Sequence, residues 1–542
     1  MKKNIYLLPA ITAIIYLVIN LVYVYFRNFD EDAYILFRYV EMAVDGNGIV
    51  FYPGGEHTEG ATDFLWLILL IILGKIGINV GVGAIILNSF GVYIINYIFF
   101  KTLCKGFNYK ISYFIAFPIA TFWILFYPII AALGGFSVIL YSSLIVLLSY
   151  FLYNQKFINL IPYLGLTISL FRPDGAIIAV TSTILGFLIS YKKYFLKKYF
   201  FHSLIALTLS IIYFIWRFNY FEEILPLPIY VKSNGGILQN ILSNLKILLF
   251  NKQALIFTFL FLLSLIFIKK IRFRLLFAFF PVLIHFLIFT FMHQSQNVGF
   301  RFQAPFFLVL YYLLILITIF IALSYRNIYI VLILPLLMLI TSIKTYKHYY
   351  YTLNTLDYIN QFTFFLSRDI LKGNETLYIT EAGRFAYWNT KPNKIIDVVG
   401  LNNRYYAKKE APLDNSKDKI DILMCYWGGN SKPFSFFQNN IIYKFTNINQ
   451  FQNIIHDYIT QNKHSSEKTV LATMNILSFL SKNFNDYDII LVKMGGETSA
   501  HVYGINKKIN ISNDILKLLI WSNNHENYKS YINLIQLRKH LK

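Results

Sequence analysis

Cysteine is nearly absent from this chain: Cys104 and Cys425 are the only two in 542 residues, too few for a disulfide framework or a thiolate metal site. Charge is scarce as well, at 14% of residues, and acids are the scarcer sign, with 27 Asp and Glu against 49 Lys and Arg. No G-x-G-x-x-G or P-loop string occurs, so the common nucleotide-binding motifs are missing, and no internal repeat is visible. What fills the chain is apolar: 57% of residues are hydrophobic, 18% are aromatic, and the mean hydropathy is +0.53. That composition excludes a soluble globule and specifies a multispanning membrane protein. The surplus of 22 positive charges falls in short clusters between apolar runs. Such clusters orient spans, so nucleic acid is not an expected partner.

A helix needs about 20 apolar residues to cross the hydrocarbon, and about 11 such runs precede residue 346. The first covers roughly 5–25; no small-residue cleavage site follows it, so it is read as an uncleaved span. Lys2 and Lys3 hold its start in the cytoplasm. The run 64–76 is too short to cross and is read as interfacial or re-entrant on the outer face. With that choice the lysine clusters at 101–110, 192–198 and 269–274 all face the cytoplasm, as the positive-inside bias requires.

The expected fold is therefore a polytopic α-helical membrane protein. Residues 1–345 form its transmembrane domain, with a first external loop at 27–79, and 346–542 form an external α/β domain. The expected location is the inner, cytoplasmic membrane, with the N-terminus inside and the tail periplasmic or extracellular. In the tail, strands are expected at 376–380, 394–399, 420–426 and 487–493, and helices at 356–372, 468–483 and 512–521.

Acids concentrate just after the first span. Asp30, Glu31, Asp32, Arg38, Glu56, His57 and Glu59 crowd into a stretch that begins as a helix at 31–44 and is stopped by Asp45-Gly46-Asn47. Gly46, Gly48, Gly54, Gly55 and Gly60 with Pro53 then force turns. Asp30 suits the N-cap, and Glu31 and Asp32 suit the first turn against the helix dipole. An acid so placed also stays ionised and can accept a proton near neutral pH. Structural and catalytic roles both stand open from the residues alone.

E-D-A-Y-I-L-F-R-Y at 31–39, D-G-N-G-I-V-F-Y-P-G-G-E at 45–56 and T-E-G-A-T-D-F-L-W at 58–66 resemble the first-external-loop signature of the polytopic GT-C glycosyltransferases, nearest the branch of mycobacterial arabinofuranosyltransferases. The resemblance implies a GT-C-like fold and a catalytic aspartate in this loop: Asp32 first, Asp30 second, with Glu31 at the family's first acid. Arg38, His57 and Glu59 of the same loop are candidates for acceptor contacts. Ala61 stands where the family has Tyr.

Three more segments resemble the family. Arg172-Pro173-Asp174-Gly175 matches an R-P-E/D-G motif, and Arg301-Phe302 with Pro305 matches R-F-x-x-P. Between them, the segment from Arg217 to Lys232 resembles the family's R-x-x-Y-Y-G-x-L-L-P-N-T-x-Y-x-K, with Leu227-Pro228 in place of Asn-Thr. Arg301 is the first candidate for a donor phosphate, because a guanidinium offers a planar fork of donors to phosphoryl oxygens; Arg172, Arg217 and Lys232 join it. Locally, Arg172 and Asp174 also make a self-paired turn, and Lys232 a snorkelling lysine. His293 and His57 lack spaced metal partners and are read as acceptor contacts. In the tail, 381–384 and 397–402 echo the family's A-G-x-x-x-Y-Y and I-D-x-x-G-L-N segments.

The expected function is inverting transfer of a sugar from a polyprenyl-phosphate donor to a glycan, lipid or protein acceptor of the cell envelope, with Asp32 as base. No cofactor motif is present; a divalent ion stays an option. A lipid-linked glycan polymerase or ligase is the alternative, ahead of a transporter or flippase. A transporter would show repeated halves and charges at mid-span.

Overall fold

The computed structural model describes residues 5–26, 29–126, 135–192, 195–232, 240–242, 244, 252–291, 301–333, 336, 362–364, 366–409, 413, 419–428, 442–463, 465, 467–493 and 499–509. The chain divides into two compact units. The first comprises 1–29, 62–222 and 235–351; the second comprises 30–61, 223–234 and 352–542.

The first unit is helical. Five of its helices are long and apolar enough to cross a membrane: Val80–Gly106, Gly175–Lys192, Leu196–Phe221, Arg272–Thr290 and Ala304–Ser324. The apolar helices Leu7–Val22, Phe64–Lys75, Val138–Asn154, Ile158–Phe171 and Leu255–Phe267 are shorter within the described residues. The sequence count of about 11 spans is not reproduced: five helices have full length and the others are shorter, and of the last expected span, between Arg326 and Lys344, only 327–333 and 336 are described, with Ile328–Leu332 a short 3-10 helix. The run read as interfacial or re-entrant is a helix of 12 residues, Phe64–Lys75.

Some polar side chains among these apolar helices pair from helix to helix, which a water-poor setting favours. Asn96 Nδ2 donates to Thr12 Oγ1 at 2.9 Å, and Thr12 in turn donates to Leu8 O at 3.0 Å. Asn88 donates to Phe136 O and accepts from Leu140 N. Beside it, a Cβ on Gly91 would meet Leu140 Cα at 2.8 Å, so only glycine lets these two backbones approach so closely.

The second unit is built on a six-stranded mixed sheet in the order β2-β1-β3-β6-β5-β4. Its strands are β1 Thr376–Ile379, β2 Lys394–Asp397, β3 Ile422–Gly428, β4 Ile442–Lys444, β5 Tyr487–Lys493 and β6 Ser499–Asn506. β1 pairs in parallel with β2 and β3, and the remaining pairs are antiparallel. Alternation sets the two faces. Leu423, Cys425 and Trp427 of β3 share a core with Phe451, Ile454, Ile455 and Tyr458 of the helix Ile448–Asn462, and with Ile476, Leu477 and Leu480 of Lys468–Lys482. Tyr503 of β6 packs instead on Phe362 and Phe385, and Thr363 shares a 2.6 Å hydrogen bond with its hydroxyl.

All four expected strands form, as does the 468–483 helix. Of the expected 356–372 helix, 362–364 are helical and Leu366–Ile370 form a π-helix, while 356–361 and 365, like 512–521, lie outside the described residues.

Two segments remote in sequence complete this unit. The helix Glu31–Val44 starts at the Asp30 N-cap and buries Tyr34, which meets Tyr387 and Trp388 at ring distances of 5.1 and 5.7 Å. Leu227 and Val231 of the helix Leu227–Lys232 enter the sheet's core.

Candidate functional site

Each unit carries one cluster of the expected residues. In the second unit the three acids at 30–32 have separate positions. Asp30 accepts from Asp32 N at 3.3 Å and caps the helix. Glu31 reaches the turn after β1: its Oε1 accepts from Gly383 N at 2.9 Å and Arg384 N at 2.8 Å, and its Oε2 lies 3.3 Å from Arg384 Nε. A Cβ on Gly383 would fall 2.0 Å from Glu31 O, so the close seating depends on that glycine. Asp32 is partly exposed in the same first turn.

Glu381 completes the acid cluster. Burial and then the Glu31, Asp32 and Asp30 charges hold its carboxyl well above the usual range, opposed by Arg384. Glu31 is pushed up to about 7, by burial first, against the pull of Arg384. This cluster lies past the carboxyl end of β1, where the chain runs to β2 on one side and later to β3 on the other. Open α/β sheets take their ligands at that kind of crossing.

Arg38 is buried and braces the loop, donating from Nε to Phe51 O at 3.0 Å and from Nη1 to Asn389 O at 2.9 Å. His57 is exposed and forms an antiparallel bridge with Val50. Glu59 is buried, and its carbonyl accepts from Leu227 N. Next to it, a Cβ on Gly60 would meet Asn402 Oδ1 at 2.0 Å. Asn402 belongs to the 397–402 turn that wraps Asp397: the carboxylate accepts from the amides of Val399, Gly400 and Asn402 and from Asn402 Nδ2. Glu223 accepts from Lys408 Nζ at 2.6 Å and pairs with Arg404 at 3.3 Å. The side chain of Lys232, and all of His293, lie outside the described residues.

In the first unit, Arg172 and Asp174 pair within their turn, Nε to Oδ1 at 2.9 Å. Phe302 lies 5.1 Å from the guanidinium carbon of Arg172 and the same distance from that of Arg301. Arg301 also lies over Phe136 at 4.0 Å. Two guanidiniums on one ring make a compact cationic patch. Arg217 is buried near the end of Leu196–Phe221. Asp63, just before the helix Phe64–Lys75, accepts from Ser137 and Thr62 hydroxyls.

Sequence reasoning passed over His285, whose Nε2 is 2.8 Å from Asp174 Oδ2. Its signal was a lone ionisable group inside an apolar helix. Among the described residues no group of three His, Cys, Asp or Glu is placed to share a metal ion. No protein-family model matches the chain, and no curated protein matches it.

Proposed function

We propose that the chain is a membrane glycosyltransferase that moves a sugar from a polyprenyl-phosphate donor to an envelope glycan, lipid or protein acceptor on the external face. The observation that supports it best is the seating of the 30–32 acids, with Glu381, past the carboxyl end of β1. Asp30 and Glu31 have visible structural work there, as a cap and as the anchor to 383–384. Asp32 is the position that the loop resemblance marks as base.

In this mechanism Asp32 takes the proton of an acceptor hydroxyl, and the oxygen attacks the anomeric carbon as its bond to the lipid phosphate breaks, with inversion. Arg301 and Arg172, joined by Arg217 and Lys232, balance the charge left on the phosphate. The glycosyl-phosphate bond carries the energy, so no nucleotide fold is needed.

Purified protein given polyprenyl-phosphate sugars and candidate acceptors tests the reading. Asp32→Asn keeps size and helix start, and transfer should fall by about 100-fold or more while folding persists; a parallel chelator series reports any need for a divalent ion. Full activity in Asp32→Asn removes the base. Consumption of oligosaccharide-linked lipid in place of monosaccharide-linked lipid turns the reading to a polymerase or ligase. Reporters at Asn403 and Lys193 should read external and cytoplasmic, and a cytoplasmic signal at Asn403 overturns the proposed side.

A further inference from the structure

His285 has no part in that scheme, yet it sits 2% exposed in Arg272–Thr290, one of the five long apolar helices. An ionisable side chain in such a helix is costly and by default points to a role. Its partner is Asp174, whose two oxygens are divided: Oδ2 faces His285 Nε2 at 2.8 Å, and Oδ1 takes the Nε–H of Arg172 at 2.9 Å. A carboxylate only accepts, so His285 Nε2 carries the hydrogen.

The array therefore grips Arg172 by the nitrogen nearest its stem. Tyr141 and Phe302 lie 5.4 and 5.1 Å from the guanidinium carbon. The side chain remains 12% exposed, and among the described residues its Nη1 and Nη2 make no hydrogen bond. A guanidinium anchored at Nε, with Asp63 as a second nearby charge and no hydrogen bond at its Nη pair among the described residues, is a preorganised fork for a tetrahedral anion. The adjoining cavity, lined by Asn244, His285, Thr290, Phe302 and Gln303 among others, is about 10 Å³, room for one water and no more.

We infer that His285 is a positioning residue: through Asp174 it fixes Arg172 in the orientation that leaves its Nη pair for a phosphate monoester, and so sets affinity for a polyprenyl phosphate it never touches. The inference rests on the reading of Arg172 as a donor-phosphate contact.

The test measures binding of sugar-free polyprenyl phosphate to the full chain in nanodiscs, with polyprenol and inorganic phosphate as separate arms and melting midpoints recorded alongside. His285→Leu should weaken polyprenyl phosphate binding on the order of tenfold, the loss expected when a hydrogen bond to a charged group goes, with the melting midpoint lowered but still above the assay temperature. His285→Gln places an amide N–H near the Nε2 position and should restore it; His285→Asn is too short and should not. Wild-type affinity in His285→Leu, beside lost binding in Arg172→Gln, overturns the positioning role and leaves the phosphate site standing. Failure of Gln to rescue overturns the hydrogen-bond account. Wild-type binding in Arg172→Gln removes both the inference and Arg172 from the site. No preference of the wild type for polyprenyl phosphate over polyprenol defeats the functional reading itself, and preference for inorganic phosphate replaces the lipid headgroup with a free anion.

Discussion

The two clusters are held in opposite ways. In the first unit Arg172 is paired two residues away, inside a Pro-Asp-Gly turn. In the second, Glu31 is paired 353 residues away, with the backbone and side chain of Arg384. A pair inside one turn can be read from adjacent letters, whereas a carboxylate seated on a distant turn leaves no local mark. The first kind is closed within its own turn, with His285 bracing Asp174 from another helix. The second depends on the sheet being folded.

The largest effect that sharpens this contrast is expected at Arg301. Arg301→Ala removes a charge-assisted phosphate contact, and donor use, measured as kcat/KM, should fall on the order of tenfold or more; Arg301→Lys should recover only part, because a point charge does not reproduce the fork. Normal turnover in Arg301→Ala would leave it a structural arginine stacked on Phe136 and Phe302.

What could be read from the sequence follows the same division. The Glu31–Val44 helix has a cap, a periodic face and a stop, and it forms where those signals put it. β1, β2, β3 and β5 are compact apolar runs and were legible for that reason. β6 was not: Ser499, Ala500, His501 and Gly504 dilute its pattern, and burial between β3 and β5 makes it a strand. The helix Ile448–Asn462 shows Phe451, Ile454, Ile455 and Tyr458 at helical spacing, a signal present but passed over among polar letters. The grouping of 30–61 and 223–234 with the tail rests on contacts across hundreds of residues, for which a single sequence has no local sign.

Next in size is Gly383→Ala. The new Cβ would lie 2.0 Å from Glu31 O, a backbone atom that cannot swing aside. Overpacking of this kind costs about 1–3 kcal/mol, and protease cleavage within 45–61 should rise with it. Unchanged protection of that segment would show that Glu31 and Gly383 can part without consequence.

A smaller, pH-dependent effect belongs to Glu41. Burial pushes its carboxyl up to about 7, against Arg38 and the Tyr387 hydroxyl. A folded pKa raised above the unfolded value gives stability that is complete below about 4.5 and is lost as pH rises through about 7. His501 acts with the opposite sign: burial and then Arg384 bring it down to about 3, so its contribution is lost as pH falls below its usual value. The readout is therefore the difference between Glu41→Gln and wild type. The variant's melting midpoint should rise relative to wild type between pH 5 and 8, and a flat difference would show that Glu41 titrates alike in both states.

The smallest effect separates capping from catalysis at Asp30. Asn is as good an N-cap as Asp, so Asp30→Asn should change stability by no more than a few tenths of a kcal/mol, whereas Asp30→Ala should cost about 1 kcal/mol. The Asp30 charge is one of those raising Glu31 and Glu381. Its removal should make both acids ionise slightly more readily and leave the 383–384 seat intact, since that seat uses backbone N–H groups and Arg384. Glycosyl transfer by Asp30→Asn should then stay within a fewfold of wild type, provided that Asp32 is the base. If transfer collapses in Asp30→Asn at an unchanged melting midpoint, capping does not account for Asp30, and the base moves two residues toward the N-terminus.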